Sequence, residues 1–292
     1  MMTTKKSVAI TTCEELPDLF GGERLLVPAL ESLGWHTSIR VWDDPKVDWT
    51  QFDLVLVRCL WDYHQKLAQF EAWLARLKEL GVKVVNDIDT MRWNLDKRYL
   101  FQLADEGCRL IPGICVERGD ARSLLQLLDE LAVEEIVVKP VQSAGAWRTL
   151  RIHRGNAQEH EAAYAEWRQE QAFLVQTFMP EIVEEGEWSL VFFNGEYSHS
   201  LLKRAKQGDF RVQSDHGGVV EARKASVRMQ EQASALLQKL DQRPCYARVD
   251  GVCRHGDFYL MELELIEPEL FLEVDPQAAM RFAQAILAAA EN

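Results

Sequence analysis

The chain has 292 residues, 47% of them hydrophobic and nine of them Trp, a composition that supports a large packed core and excludes a disordered polypeptide. Its 33 basic residues against 46 acidic ones give a net charge of −13, which argues against nucleic acid or an anionic membrane as partner, because both need a basic surface. The six cysteines form no C-x-x-C pair and several lie in apolar runs, so they read as reduced thiols of a cytoplasmic protein without a zinc site. No window approaches ~18 consecutive apolar residues, so no membrane-spanning helix is expected. The segment Met1–Ile10 carries two lysines but only a short apolar stretch before Glu14 and Glu15, unlike a signal peptide.

The first ninety or so residues alternate strand and helix patterns. Ser7–Thr12 reads as a strand, Glu23–Leu33 as a helix ended by Gly34, Trp35–Trp42 as a strand and Phe52–Leu60 as a buried strand. Lys66–Leu80 reads as a helix stopped by Gly81, and Val82–Val85 as a strand. That order predicts a parallel, doubly wound unit. Ligands of such sheets gather at the carboxyl ends of strands, which makes the loop Arg58-Cys-Leu-Trp61-Asp62-Tyr63-His64 a candidate substrate-recognition set. The alternative reading for Arg58 is an ion pair with Asp62 or Asp53, and for Trp61 and Tyr63 packing on the next helix.

A helix from Asn94 to Glu106 carries Lys97, followed by a helix at Leu124–Leu131 and the strand Glu135–Lys139. Ser143-Ala144-Gly145-Ala146 is a loop of small residues, after which Thr149–His153 reads as a strand and Ala157–Glu170 as a helix. Phe173–Phe178 is strand-like, and Trp188–Phe193 and Tyr197–Leu202 flank Asn194-Gly195, a strong hairpin signal. Val227–Leu240 reads as a helix, and Pro276–Ala290 as an Ala-rich closing helix. There is no internal repeat and no low-complexity linker.

Between those last two helices lies the most informative stretch. Tyr246–Asp250 and Tyr259–Glu267 read as two strands joined by a turn at Arg254–Asp257. Residues two apart in a strand share a face, so Glu262 and Glu264 point one way while Leu263 and Leu265 point the other. A hairpin brings Asp250 beside them. Carboxylates gathered on one face repel unless a cation or water separates them, and oxygen ligands suit Mg²⁺. The competing reading is the wet face of an amphipathic strand, although Glu is a poor strand former. Lys139 ends an apolar strand just before the small-residue loop, where backbone N–H groups can approach an anion closely. Alone it reads more simply as a solvated lysine, and Lys97 as a helix-surface charge.

Taken in order, Lys97, Lys139-Pro140, Ser143–Ala146, Val175–Phe178, Gly186-Glu187, Lys203, Arg248-Val-Asp250 and Glu262-Leu-Glu264 resemble the ATP-grasp superfamily, most closely its glutathione synthetase-like and cycloserine-biosynthesis-like ligases. The resemblance runs from Asp89 to the C-terminus. It implies an α/β N-terminal unit (1–88), then an α+β ATP-grasp fold of two subdomains (89–176 and 177–292) that grip ATP between them. It further implies that Lys97 and Lys139 contact the phosphates and that Ser143, Ala144 and Gly145 belong to a loop over them. The backbone of Gln176, Thr177 and Phe178 would hold adenine, and Glu187 the ribose. Asp250, Glu262 and Glu264 would ligate two Mg²⁺ (Mn²⁺ being an alternative), while Arg248 and Lys203 would act in catalysis. Arg58, Trp61, Asp62, Tyr63, Arg204 and Arg211 are substrate candidates.

Two departures stand out: Glu264 replaces the Asn of many members, and Glu267-Pro268-Glu269 is unlike the Ser/Thr-Pro-Gly run of D-alanine ligases. The implied reaction is ADP-forming ligation of a small acid to an amine through an acyl phosphate. The alternatives are an ATP-grasp kinase or a non-catalytic nucleotide-binding protein. The sequence leaves a homodimer open.

Overall fold

The structure, a computed structural model, describes residues 6–212 and 217–291. The first five residues of the segment read above as lacking a leader lie outside it. Among the described residues no helix is long and apolar enough to cross a membrane.

The N-terminal unit contains β1 (Ser7–Thr12), α1 (Leu26–Ser32), β2 (His36–Val41), β3 (Leu54–Leu56), α2 (Leu67–Glu79), β4 (Val84–Val85) and α3 (Ile88–Asn94). Its four strands are parallel in the order β2-β1-β3-β4. Both faces are apolar, as a sheet covered by helices on each side requires. Val8, Ile10 and Leu56 face α1, and Ala9, Val55 and Val57 face α2 and α3. The expected strand over 52–60 shortens to β3; the residues beyond it form the loop toward the cleft.

The expected helix Asn94–Glu106 is interrupted. The chain leaves α3 at Asn94 and re-enters a helix only at α4 (Tyr99–Asp105), so Lys97 lies in the break, where its N–H donates to Val141 O at 2.8 Å. Then follow β5 (Gly113–Val116), α5 (Leu124–Leu131), β6 (Glu135–Pro140), β7 (Leu150–His153), α6 (Ala157–Glu170) and β8 (Phe173–Thr177). These strands form an antiparallel sheet in the order β5-β8-β6-β7. One face, with Ile136, Val138, Phe173 and Val175, packs on α5 and α6. The pleat turns Val137, Lys139 and Gln176 to the other face.

After α7 (Glu181–Glu184) come β9 (Glu187–Phe193), β10 (Glu196–Arg204), β11 (Val219–Ala222), α8 (Val227–Leu237), β12 (Tyr246–Arg254), β13 (Asp257–Glu264) and α9 (Ala278–Glu291). The strands make a five-stranded sheet ordered β11-β10-β9-β12-β13. Its apolar face, including Leu190, Phe192, Leu202 and Val249, packs on α4 and α8. Asn194 and Gly195 both adopt positive φ, 49° and 78°, as a two-residue turn between β9 and β10 requires.

The subdomain limits differ from those expected. The break at 176/177 falls inside β8, and α4 packs on the C-terminal sheet although it precedes the central one. In addition, α9 returns to the N-terminal sheet, where Phe282 and Ile286 join the core of Val8 and Ile10.

Candidate active site

Strand register places the charged groups. Asp250 on β12 pairs with Glu262 on β13 and with Ser189 on β9; Arg248 pairs with Glu264; Lys203 on β10 pairs with Glu187 on β9. These side chains therefore share the face of the C-terminal sheet opposite its apolar core. The register slips between Asp250 and Gly251, so Met261 is an extra residue on β13 and joins Glu262 and Glu264 on the cleft face. Gly251 permits the slip, since a Cβ there would lie 2.2 Å from Tyr259 O. The free edge of β13 is held by side chains of the α3–α4 segment: Asn94 Nδ2 and Tyr99 OH each donate to Leu263 O at 2.8 Å, and Leu265 N donates to Asn94 Oδ1 at 2.8 Å. That docking carries Lys97 to Glu262.

The two sheets face each other across a cleft of about 370 Å³. Lys97 Nζ lies 3.0 Å from Glu262 Oε1 and donates to Ser143 O at 2.7 Å, while Lys139 Nζ reaches Glu262 Oε2 at 3.7 Å. Burial opposes ionisation of Glu262, but the two lysines outweigh it and hold the carboxyl down at about 2. Burial lowers the pKa of Lys139 against the pull of Glu262. Arg248 bridges Asp250, at 2.9 Å, and Glu264. Burial disfavours the charge on Asp250, yet Arg248 and Lys203 keep its carboxyl below the usual range, and Ser189 Oγ donates to it. Glu264 responds the other way: burial pushes it up to about 7, against Arg248. Glu187 is raised by burial despite its ion pair with Lys203. Lys203 is held charged, against burial, by Asp250 at 3.7 Å and by Glu187.

Most residues singled out in the sequence line this cleft: Lys97, Lys139, Ser143, Ala144, Gly145, Gln176, Thr177, Phe178, Glu187, Lys203, Arg211, Arg248, Asp250, Glu262, Glu264, Trp61 and Tyr63. Three do not. Arg58 is 1% exposed and forms a bidentate pair with Glu23, at 2.9 and 2.8 Å, rather than with Asp62 or Asp53. Asp62 accepts from Trp42 Nε1 at 2.8 Å and from Lys66, holding its own loop. Arg204 donates to Glu185 O at 3.1 Å on the outer surface. The N–H groups of Thr177 and Phe178 already bond Pro112 O and Glu135 O, at 2.8 and 3.0 Å, so these two amides hold strands together rather than facing a base.

Sequence reasoning missed the apolar slot beside Gln176–Phe178, made by Ile111, Val137, Met179, Ile182, Val212 and Met261. Only Val137 carried a signal, sharing a strand face with Lys139.

The acidic donors suit a hard divalent cation: all are oxygen ligands, and the side chains of Glu262 and Glu264 are 29% and 31% exposed toward the cleft, whereas Asp250 lies deeper at 3%. Among the described residues no three acidic, His or Cys side chains already stand as a closed metal site. Lysine and arginine now occupy the inner faces of these carboxylates.

Two sheets gripping a cleft lined by lysines, carboxylates and an apolar slot define an ATP-grasp enzyme. Residues 109–278 match the family described as the prokaryotic glutathione synthetase ATP-grasp domain, and residues 8–86 match the D-cycloserine synthetase DcsG N-terminal domain. The chain is 31% identical over 274 residues to the cycloserine biosynthesis protein DcsG of Streptomyces lavendulae, covering 89% of this chain and 91% of that protein. The crystal structure of D-cycloserine synthetase DcsG superposes with a TM-score of 0.87 at 29% identity, covering 97% of this chain and 99% of that one. A D-alanine–D-alanine ligase from Bacillus anthracis shares the fold, with a TM-score of 0.70 at 14% identity over 98% of this chain and 97% of that one. The chain belongs to the ATP-grasp ligases of the prokaryotic glutathione synthetase family, which form a carbon–nitrogen bond and release ADP.

Proposed function

We propose that the protein activates the carboxylate of a small amino acid or peptide-like substrate as an acyl phosphate and joins it to an amine. The observation that carries this reading is one charged face: Lys97 and Lys139 meet Glu262 across the cleft, with Arg248 beside Glu264 one register step away. The apolar slot fits a purine. Lys139 and Lys97 face the phosphates, where fixed positive charge stabilises a transferring phosphoryl group. Glu262 and Glu264, with Asp250 behind them, would hold Mg²⁺ (or Mn²⁺), which when bound supplies further neutralisation of phosphate charge. Arg248 stands where it can donate to the oxyanion that forms when the amine adds. The Ser143–Gly145 loop, tethered to Lys97 through Ser143 O, shields the mixed anhydride from water.

Screening amino acids and dipeptides for ADP release, with product mass, tests the reading. The expected product is an amide with ADP and phosphate, and hydroxylamine in place of the amine should yield a hydroxamate. A stable phosphorylated product, with neither amide nor hydroxamate, would contradict it in favour of a kinase.

A further inference from the structure

The loop from Glu267 to Phe271 leaves the carboxylate-bearing strand and lines one end of the cleft. Its four carbonyls from Glu267 to Leu270 are all held by side chains from other elements. Trp61 Nε1 donates to Glu267 O at 3.2 Å, Arg58 Nη2 to Pro268 O, Arg248 Nη1 to Glu269 O at 3.0 Å and His199 Nε2 to Leu270 O at 2.8 Å. Glu23 Oε1 accepts from Leu270 N at 3.1 Å. The buried Arg58–Glu23 pair therefore acts on the cleft at one remove, by fixing this loop.

The fixed backbone presents two carboxylates to the cleft, Glu267 and Glu269. Glu267 is only 8% exposed. The other cleft carboxylates, Glu187, Asp250, Glu262 and Glu264, each have a lysine or arginine in an ion pair. Among the described residues neither Glu267 nor Glu269 enters one. Glu267 has the uncharged Tyr63 hydroxyl as its hydrogen-bond partner, and burial raises its pKa well above the usual range, with Glu264 adding to the effect and Arg58 and Arg248, neither within ion-pair distance, acting against it. A buried carboxyl group without an ion pair is costly to ionise, and an arriving cation offsets that cost. The surrounding wall is aromatic: Trp61, packed 4.7 Å from Phe20, together with Tyr63 and Phe271. Aromatic faces attract organic cations, whereas a further metal ion would want oxygen ligands and water there.

We propose that Glu267 and Glu269 form a subsite for an ammonium group of the substrate, held in place by the Arg58–Glu23 pair through the loop backbone. The inference rests on the ligase reading and narrows it: a substrate that carries a positively charged nitrogen close to its reacting group.

The test is thermal unfolding with Mg²⁺ and a non-hydrolysable ATP analogue, adding methylammonium, glycine, alanine, serine or ornithine, and the N-acetyl form of each amino acid. The free amines should raise the melting temperature and the N-acetyl forms should not. Glu267→Gln and Glu269→Gln should each abolish that rise while keeping the rise caused by the nucleotide analogue. In turnover, Glu267→Gln should raise KM for an ammonium substrate about tenfold, the loss of about 1.4 kcal/mol, with kcat nearly unchanged. Equal binding of the N-acetyl forms, an undiminished rise in both variants, or no rise with any free amine would overturn the proposal. Free-amine stabilisation without ADP release from any acid would keep the subsite and contradict the ligase reading. ADP release driven by an acid lacking a basic nitrogen, equally well in Glu267→Gln, would do the reverse.

Discussion

Lys139 and Lys97 flank Glu262 from the central sheet and from the α3–α4 break, and both are buried. In a closed site water cannot replace their charge beside a polyphosphate. Lys139→Ala is expected to weaken ATP binding by about tenfold or more, a loss of about 1.4 kcal/mol or greater. Nucleotide titration of a variant shown folded by circular dichroism checks this; unchanged affinity would remove Lys139 from the phosphate site. Glu264→Gln keeps the side-chain shape and removes a charge, so ATP turnover at limiting Mg²⁺ should fall and recover in part when Mg²⁺ is raised. Glu269 gives a pH signature. Burial raises its pKa to about 7 from an ordinary 4.5, so the folded protein binds more protons than the unfolded chain between those values. Its contribution to stability is therefore fullest below about 4.5 and falls as pH rises through about 7. The melting temperature of Glu269→Gln should gain on wild type across that window and keep a constant offset above it. The residue-scale features legible in the sequence were those with a strand period, such as Glu262 and Glu264. The partner of Arg58 was not legible, because Glu23 lies 35 positions away and nothing in spacing selects it over Asp53 or Asp62.

At the scale of elements, the Glu267–Phe271 loop depends on the Arg58–Glu23 pair, which is 1% and 2% exposed. Removing one partner leaves a buried charge without compensation, which costs about 3–5 kcal/mol. Arg58→Ala should lose stability of that order in denaturant unfolding, and replacing both residues by apolar ones should lose less. Equal losses in the single and double variants would show that the pair acts through packing alone. Elements fixed by local chemistry were readable in advance. Asn194-Gly195 supplies the positive φ of its hairpin, and Ser7–Thr12 turns Val8 and Ile10 to one face and Ala9 to the other, as a parallel strand covered on both sides requires. Elements fixed by distant contacts were not. The helix expected across Asn94–Glu106 breaks where Lys97 N reaches Val141 O and where Asn94 and Tyr99 cap the edge of β13. Strand β11 is exposed along its length and carries no burial pattern to detect. The slip at Gly251 places Met261 on the cleft face beside Glu262, which strict alternation forbids.

At the scale of the molecule, α9 and the α3–α4 segment cross between units, so the N-terminal sheet, the carboxylate strand and the lysines are tied into one cleft. The order of short motifs made the ATP-grasp class readable. The subdomain limits were obscured because α4 packs on a sheet that the chain builds only later. The proposed mechanism rests on the same convergence: Lys97, Lys139, Glu262, Glu264 and Arg248 meet in one cleft, where under the proposed reading a carboxylate would attack a phosphoryl group and the acyl carbon would then be attacked by nitrogen. Oxygen transfer tests this most directly. With an acid identified by the ADP screen and labelled with ¹⁸O in its carboxylate, one labelled oxygen should appear in the released phosphate, in step with ADP and amide formation. AMP with pyrophosphate, or phosphate free of label while amide forms, would contradict the account.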